Sequence, residues 1–274
     1  MVGFLVIILI NSDRMKKQAK SNPIVSDNFV LQDYLDRIHF VGDIKSNIKS
    51  ISKLMQCQLF SIPFEDLDVQ AGKTISLAGD DIIDKLITRK RGGYCYELNG
   101  LFALMLQKMD IPYRFVAARP LVTPAENPKT HIAIIVTVED EEYLVDLGFG
   151  GNGIREPLKL NDTTAAQQGA ETFAIVKAEN GNYLLQTLSH KEWKDLYSFD
   201  LSHQEWIDFK PANHYNSTHP DSFFTQNLVV VLQNPLGKKI LFKNTFKSIE
   251  NGKAQSYTFK PDQLEGILAT EFNL

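Results

Sequence analysis

The chain has 274 residues, 43% hydrophobic and 23% charged, the balance of a globular protein with one large domain or a few small ones sharing a core. Its 29 basic and 33 acidic residues leave a formal net charge of −4, so no basic field exists to hold nucleic acid. Two cysteines, Cys57 and Cys95, and six histidines without HxxxH or CxxC spacing argue against a disulfide framework, a structural zinc site and a metal enzyme; unbridged thiols fit a reducing cytoplasm.

The chain opens with a nine-residue apolar run, Val2 to Ile10. A membrane-spanning helix takes roughly 20 apolar residues, and a signal peptide needs a basic stretch before the run and a small-residue cleavage site after it. The run therefore reads as part of an extension over residues 1–27 preceding the folded chain, or as a weak membrane anchor or unremoved leader. Residues 28–60 read as helices, with Leu31, Tyr34, Leu35 and Ile38 at helical spacing, followed by Ile48, Ile51, Leu54 and Met55. Pro63 interrupts that period, and residues 61–66 read as a turn or an extended segment. A further helix is expected from Asp81 to Arg89, capped by Asp80.

Then comes Arg91-Gly92-Gly93-Tyr94-Cys95-Tyr96-Glu97-Leu98-Asn99-Gly100. The glycines break the helix and suggest a flexible hinge. From Glu97 onward Leu98, Leu101, Phe102, Met105 and Met109 share one helical face until Pro112. A thiol attacks a carbonyl only as the thiolate, which needs a cation, a helix N-terminus or an adjacent base. Cys95 has the helix start by position, and Arg91 adds charge or ties the hinge to a carboxylate such as Glu97. The plainer reading makes Cys95 one more small buried residue.

Beyond Pro112 the apolar period changes from 3.6 to 2. Strands are expected at Tyr113–Ala118, His131–Val138, Glu142–Val145, Thr172–Lys177 and Tyr183–Leu188, the pattern of a small antiparallel barrel. The tail mixes a helix near 220–228 with strands at 228–233 and 239–243 and reads as an α/β piece. His131 opens an apolar strand, where a titrating ring is costly unless paired, and Asp146 sits between Val145 and Leu147 at the end of the next strand. Nδ1–H of a triad histidine would suit Asp146. A hairpin centred on Asp140 and Glu141 sets position 135 opposite 146, leaving the two side chains four positions, or about 13 Å, apart. A bulge or barrel curvature is needed to close that gap.

Together these residues resemble the arylamine N-acetyltransferase family. The resemblance rests on Arg91 to Asn99, on Thr130-His131 opening its strand, and on Val145-Asp146-Leu147-Gly148-Phe149-Gly150. Ile62-Pro63-Phe64-Glu65 upstream and Ser217-Thr218-His219-Pro220-Asp221-Ser222 downstream reinforce it, and it runs from about residue 28 to the C-terminus. The family implies an α+β fold: an N-terminal helical bundle (28–110), a central antiparallel β-barrel (111–200) and a C-terminal α/β lid (201–274) around a cysteine-protease-like Cys-His-Asp core. It implies that Cys95 takes an acetyl group from acetyl-CoA and yields it to an arylamine or arylhydrazine, with His131 as base and acid and Asp146 orienting the ring.

By the same resemblance Phe64, Thr130 and Phe149 would meet the acceptor, while Gly150, Gly151, Tyr215, Ser217 and Thr218 would contact coenzyme A. No metal is implied. Two positions depart from the family pattern. Gln58 stands where the family often has His, and Asp66 where it usually has Asn. Three readings compete: a coenzyme A-independent amide (macrolactam) synthase of the same family, a thiol hydrolase or transglutaminase-like enzyme, and a non-catalytic binding protein that keeps the fold, against which the intact triad speaks.

Overall fold

A computed structural model describes residues 23–122 and 126–274; the N-terminal apolar run lies outside the described residues. Helix α1 (Leu31–Arg37) and helix α2 (Ile48–Ser61) open the fold. Asn47 caps α2 by accepting the Ser50 N–H at 2.9 Å, and Ile51, Leu54 and Met55 turn inward as their spacing requires. The packed chain begins within the expected extension over residues 1–27: Ile24 is wholly buried, and its carbonyl accepts from Gln107 Nε2.

After Pro63 come a short strand β1 (Phe64–Glu65), helix α3 (Leu67–Gln70) and helix α4 (Gly79–Ile83), which continues as a wider π-type turn over Asp84–Thr88. Asp80 is not the cap of this helix. The helix starts at Gly79, two residues before the expected Asp81, and the Asp80 carboxylate instead accepts from Ser26 Oγ and from the N–H groups of Asp27 and Asn28, fastening the N-terminal segment. Helix α5 (Cys95–Lys108) begins at Cys95, as its position after the glycines implies, and is buried on all sides from Cys95 to Leu106. A helix enclosed in this way needs apolar residues beyond a single stripe, and Ala103, Leu104 and Leu106 supply them.

The strands β2 (Tyr113–Pro120), β3 (His131–Val138), β4 (Glu141–Val145), β5 (Leu158–Lys159), β6 (Ala166–Gln168), β7 (Glu171–Lys177), β8 (Tyr183–Ser189) and β9 (Glu192–Phe199) form one sheet, ordered β5-β4-β3-β2-β9-β8-β7-β6. It is a nearly closed antiparallel barrel. The Gln168 side chain bridges its two ends, accepting the N–H groups of Arg155 and Glu156 and donating to the Glu156 carbonyl. Strand β9 escapes a reading by alternation because Glu192 to Asp195 are all exposed.

The remaining chain forms helix α6 (Lys210–Thr218), helix α7 (Phe223–Gln226), strands β10 (Val229–Asn234), β11 (Gly237–Phe242), β12 (Thr245–Glu250) and β13 (Lys253–Thr258), and helix α8 (Leu264–Phe272). Its sheet runs β1-β10-β11-β12-β13, with Phe64 opposite Val231 and Glu65 opposite Val230. The segment after α2 is thus an extended edge strand, and it ties the helical region to the C-terminal sheet. Val230, Leu241, Phe246, Phe259, Ile267 and Phe272 form a second small core there.

Candidate active site

The sulfur-bearing residue is set by its approach chain. Gly92 and Gly93 are packed rather than hinge-like: the Gly93 carbonyl accepts from Glu65 N–H at 2.9 Å, and its own N–H donates to the Pro63 carbonyl at 3.2 Å. A Cβ on Gly92 would lie 2.3 Å from the Pro63 carbonyl oxygen, so the residue must be glycine for steric reasons. Tyr94 is extended, and its N–H donates to Glu97 Oε2 at 3.0 Å, fixing the start of α5 at Cys95.

Arg91 does not reach Glu97 as expected. Its guanidinium pairs with Glu65 at 2.7 Å, while the buried Lys85 ammonium takes Glu97 at 2.8 Å and Asp68 at 2.9 Å. Burial nevertheless pushes the Glu97 carboxyl up to about 7, against the pull of Lys85.

His131 and Asp146 meet because the β3–β4 hairpin turns one residue earlier than the sequence suggests. Glu139 and Asp140 both adopt left-handed φ, 53° and 61°, making a two-residue turn that pairs Ile134 with Val145. In that register Asp146 falls opposite Ala133, so the offset is two positions, about 7 Å along the strand, rather than four. His131 Nε2 lies 2.7 Å from Asp146 Oδ2, and both groups are buried. The nitrogen facing the carboxylate is therefore Nε2, not Nδ1. Asp146 Oδ1 accepts from Gly148 N–H at 2.9 Å and Asn99 Nδ2 at 3.2 Å; among such donors the carboxylate acts as acceptor, Nε2 carries the proton and Nδ1 is left able to accept one.

Asn99 is the clamp of this corner. Besides Asp146 it donates to the Ile132 carbonyl at 2.8 Å and accepts the Leu147 N–H at 3.0 Å, joining α5 to both strands. The backbone after Asp146 passes so close that a Cβ on Gly148 would lie 2.5 Å from Cys95 Cα. The backbone N–H groups of Ile132 and Tyr96 face the Cys95 sulfur, but burial first, and the Asp146 carboxylate second, push the thiol up. A thiolate at this position is therefore stable only beside a cation. Tyr197, wholly buried, has its ring centroid 5.1 Å from that of His131, and its phenol stands beside Asp146, pushed up by burial and then by that carboxylate. No sequence signal singles it out, because an aromatic on an inward strand position reads as core.

Cys95 and His131 line a cavity of about 430 Å³, together with Phe64, Thr130 and Phe149. The Phe149 ring sits edge-on to His131 at 5.0 Å. Gly150, Gly151 and Tyr215 border the same space, with Phe223, Phe224 and Val229 across it. Ser217 and Thr218 do not. Each hydroxyl is turned back into α6, Ser217 donating to the Asn213 carbonyl at 2.8 Å and Thr218 to the His214 carbonyl at 2.6 Å, and neither borders the cavity.

The two departing residues are buried, and neither borders the cavity. Buried Gln58 accepts from Tyr34 OH at 3.0 Å and donates to the Leu98 carbonyl at 2.9 Å, tying α1 to α5. Buried Asp66 accepts the Val229 N–H at 2.8 Å through Oδ1, while Oδ2 has no partner among the described residues; burial pushes its carboxyl up to about 7. Among the described residues no helix is long and apolar enough to cross a membrane, and no three His, Cys, Asp or Glu side chains converge to hold a metal ion.

A buried thiol and an Asp-paired histidine lining one aromatic cavity make the site of a cysteine-dependent enzyme that works on acyl groups. The N-acetyltransferase family model matches residues 47–274. An arylamine N-acetyltransferase of Escherichia coli is 30% identical over 250 residues, covering 89% of each chain. The solved structure of the Salmonella typhimurium arylamine N-acetyltransferase superposes with a TM-score of 0.85 at 30% identity, over 89% of this chain and 90% of that one. That of Mycobacterium marinum arylamine N-acetyltransferase in complex with CoA gives 0.83 at 28% identity, over 89% and 92%. The chain belongs to the arylamine N-acetyltransferase family.

Proposed function

We propose that the protein moves an acetyl group from acetyl-CoA to the nitrogen of an arylamine or arylhydrazine, through a thioester on Cys95, in the cytoplasm. The observation that carries this reading is the 2.7 Å contact of His131 Nε2 with Asp146, which leaves Nδ1 as proton acceptor in the cavity that Cys95 lines. Two unpaired cysteines accord with a reducing compartment.

His131 Nδ1 takes the Cys95 proton, and the resulting imidazolium, held by Asp146, is the cation that the buried thiolate needs. The sulfur attacks the acetyl carbonyl carbon. The carbon–sulfur bond to coenzyme A breaks, and the departing thiolate takes the proton from His131. The arylamine nitrogen then attacks the Cys95 thioester and gives its proton to His131, and the Cys95 sulfur leaves. Phe64 and Phe149 offer aromatic faces to a flat acceptor, with Thr130 beside them.

The wall bearing Gly150 and Gly151 suits a bulky donor. A Cβ on Gly151 would meet no protein atom closer than 3.5 Å, so the missing side chain leaves space beside the cavity rather than relieving a clash. Tyr215 supplies a polar group on the rim.

Initial rates at several fixed arylamine concentrations test the reading. Parallel double-reciprocal lines with free coenzyme A released are expected, and intersecting lines would reject the covalent route. A folded protein that releases no coenzyme A would instead point to the carrier-dependent amide synthase.

A further inference from the structure

Behind the Gly150–Gly151 wall lies a buried ionic cluster that no step above uses. Lys238 on β11 and Arg155, in the segment leading to β5, are each 6% exposed and share the carboxylate of Glu171 on β7. Lys238 Nζ is 2.6 Å from Oε1 and Arg155 Nη2 is 3.1 Å from Oε2. Arg155 also donates to the carbonyls of Asn234 and Gly237 at 2.8 and 3.0 Å, locking the barrel to the turn of the β10–β11 hairpin. Two donors reach the cavity wall from behind: Lys238 Nζ of this cluster donates to the Gly151 carbonyl, and Gln233 Nε2 on β10 approaches the Gly150 carbonyl at 3.4 Å.

Gly150, Gly151 and Asn152 border the cavity, whereas Lys238 and Gln233 do not. In a planar trans peptide the carbonyl of one residue and the N–H of the next point in opposite directions. Holding the Gly151 carbonyl from outside the cavity therefore turns the Asn152 N–H toward it. Apolar residues of similar volume often stabilise a fold as well as a buried ion pair does, so stability alone is a weak reason for this cluster. Control of the turn is a task that an apolar side chain cannot perform.

We propose that Lys238 is a positioning residue for the acyl donor: it fixes the Gly150–Asn152 turn so that its amides face the anionic, diphosphate-bearing part of that donor. Lys238 does not border the cavity, so it acts through the turn and not by contact. The inference rests on the acetyl-CoA reading above.

The test compares two acetyl donors, acetyl-CoA and p-nitrophenyl acetate, which reaches Cys95 without a nucleotide. Lys238→Met is expected to raise the KM for acetyl-CoA about tenfold while leaving kcat, the arylamine KM and p-nitrophenyl acetate turnover within about twofold; Lys238→Arg restores most of the loss. An unchanged acetyl-CoA KM in folded Lys238→Met overturns the inference, and so does an equal loss with both donors, which marks a merely structural role. Should Lys238→Met fail to fold, Glu171→Gln replaces it, with a smaller selective rise in acetyl-CoA KM expected and no selectivity overturning the idea. A wild-type protein that cleaves the aryl ester but never acetyl-CoA removes the donor assignment and this inference together. Turnover of acetyl-CoA with a Lys238-independent KM removes this inference alone.

Discussion

The inner and outer walls of the cavity are held by different means. At the inner corner Cys95, His131, Asp146 and Asn99 are all buried, and α5, β3 and the end of β4 are joined there by side-chain hydrogen bonds of 2.7–3.2 Å. Glycine at 148 is required there by the approach of Cys95 itself. Along the outer wall Gly150, Gly151 and Tyr215 are partly exposed, and the turn is braced from behind by the C-terminal sheet. Chemistry that moves a proton over a short distance needs the first kind of wall, while recognition of a large, partly solvated donor tolerates the second. Substitutions at the inner corner should therefore act on kcat, and those at the outer wall on KM.

The largest effect is expected at the sulfur. Cys95→Ser should lower acetyl transfer by at least about 10³-fold with an unchanged melting temperature, and a variant retaining a tenth of the activity would break the division between the walls. Asp146→Asn should cost about 10³–10⁴-fold in kcat, because an amide can present its NH₂ to Nε2 and favour the wrong tautomer. A change confined to KM would contradict the role given to that carboxylate.

A stability effect separates the site from its surroundings. Asp66 is pushed up to about 7 in the folded protein, whereas in the unfolded chain it titrates near ~3.9. Between those values the folded form holds the proton that the unfolded form has lost. The stability linked to this group is thus complete below about pH 4, falls as the pH rises to about 7, and is flat above. Asp66→Asn removes the titration, so the variant should gain about 1–3 kcal/mol on wild type between pH 4 and pH 8 in urea unfolding. A difference independent of pH would show that Asp66 does not titrate there.

The smallest effect sharpens the outer wall. Ser217→Ala and Thr218→Ala should change the KM for acetyl-CoA by less than about twofold, since both hydroxyls are turned into their own helix. A rise of tenfold would return them to the donor site.

These contrasts follow what the sequence could and could not reveal. The helices from Leu31 to Met55 and strands β2, β3, β4, β7 and β8 were legible because their apolar spacing has one physical meaning, whereas β5 and β6, two and three residues long, are too short to show a period. The pairing of His131 with Asp146 was legible in residue type but not in distance. The Glu139-Asp140 turn takes left-handed φ at both positions without the Gly or Asn that normally announces it, and one residue of register changes the offset by two positions. Arg91 finds Glu65 on β1 rather than Glu97, which Lys85 takes, because that choice is made in three dimensions. Ser217 and Thr218 look available as hydroxyls in a polar stretch, whereas each donates to a carbonyl of its own helix. Tyr197 and Lys238 carry no local pattern, and Asn99, although it closes the Arg91–Asn99 stretch, shows its clamping role only in three dimensions; the partners of Asn99 and Lys238 are 33 to 87 residues distant.

The account stands on Cys95 as the atom that carries the acetyl group. Intact-mass and peptide mass spectrometry of the protein after brief exposure to acetyl-CoA, without any amine, tests this directly. One acetyl group on the peptide containing Cys95, discharged when an arylamine is added, is the predicted result. A folded protein that stays unmodified, or carries the acetyl group on Cys57, would contradict it.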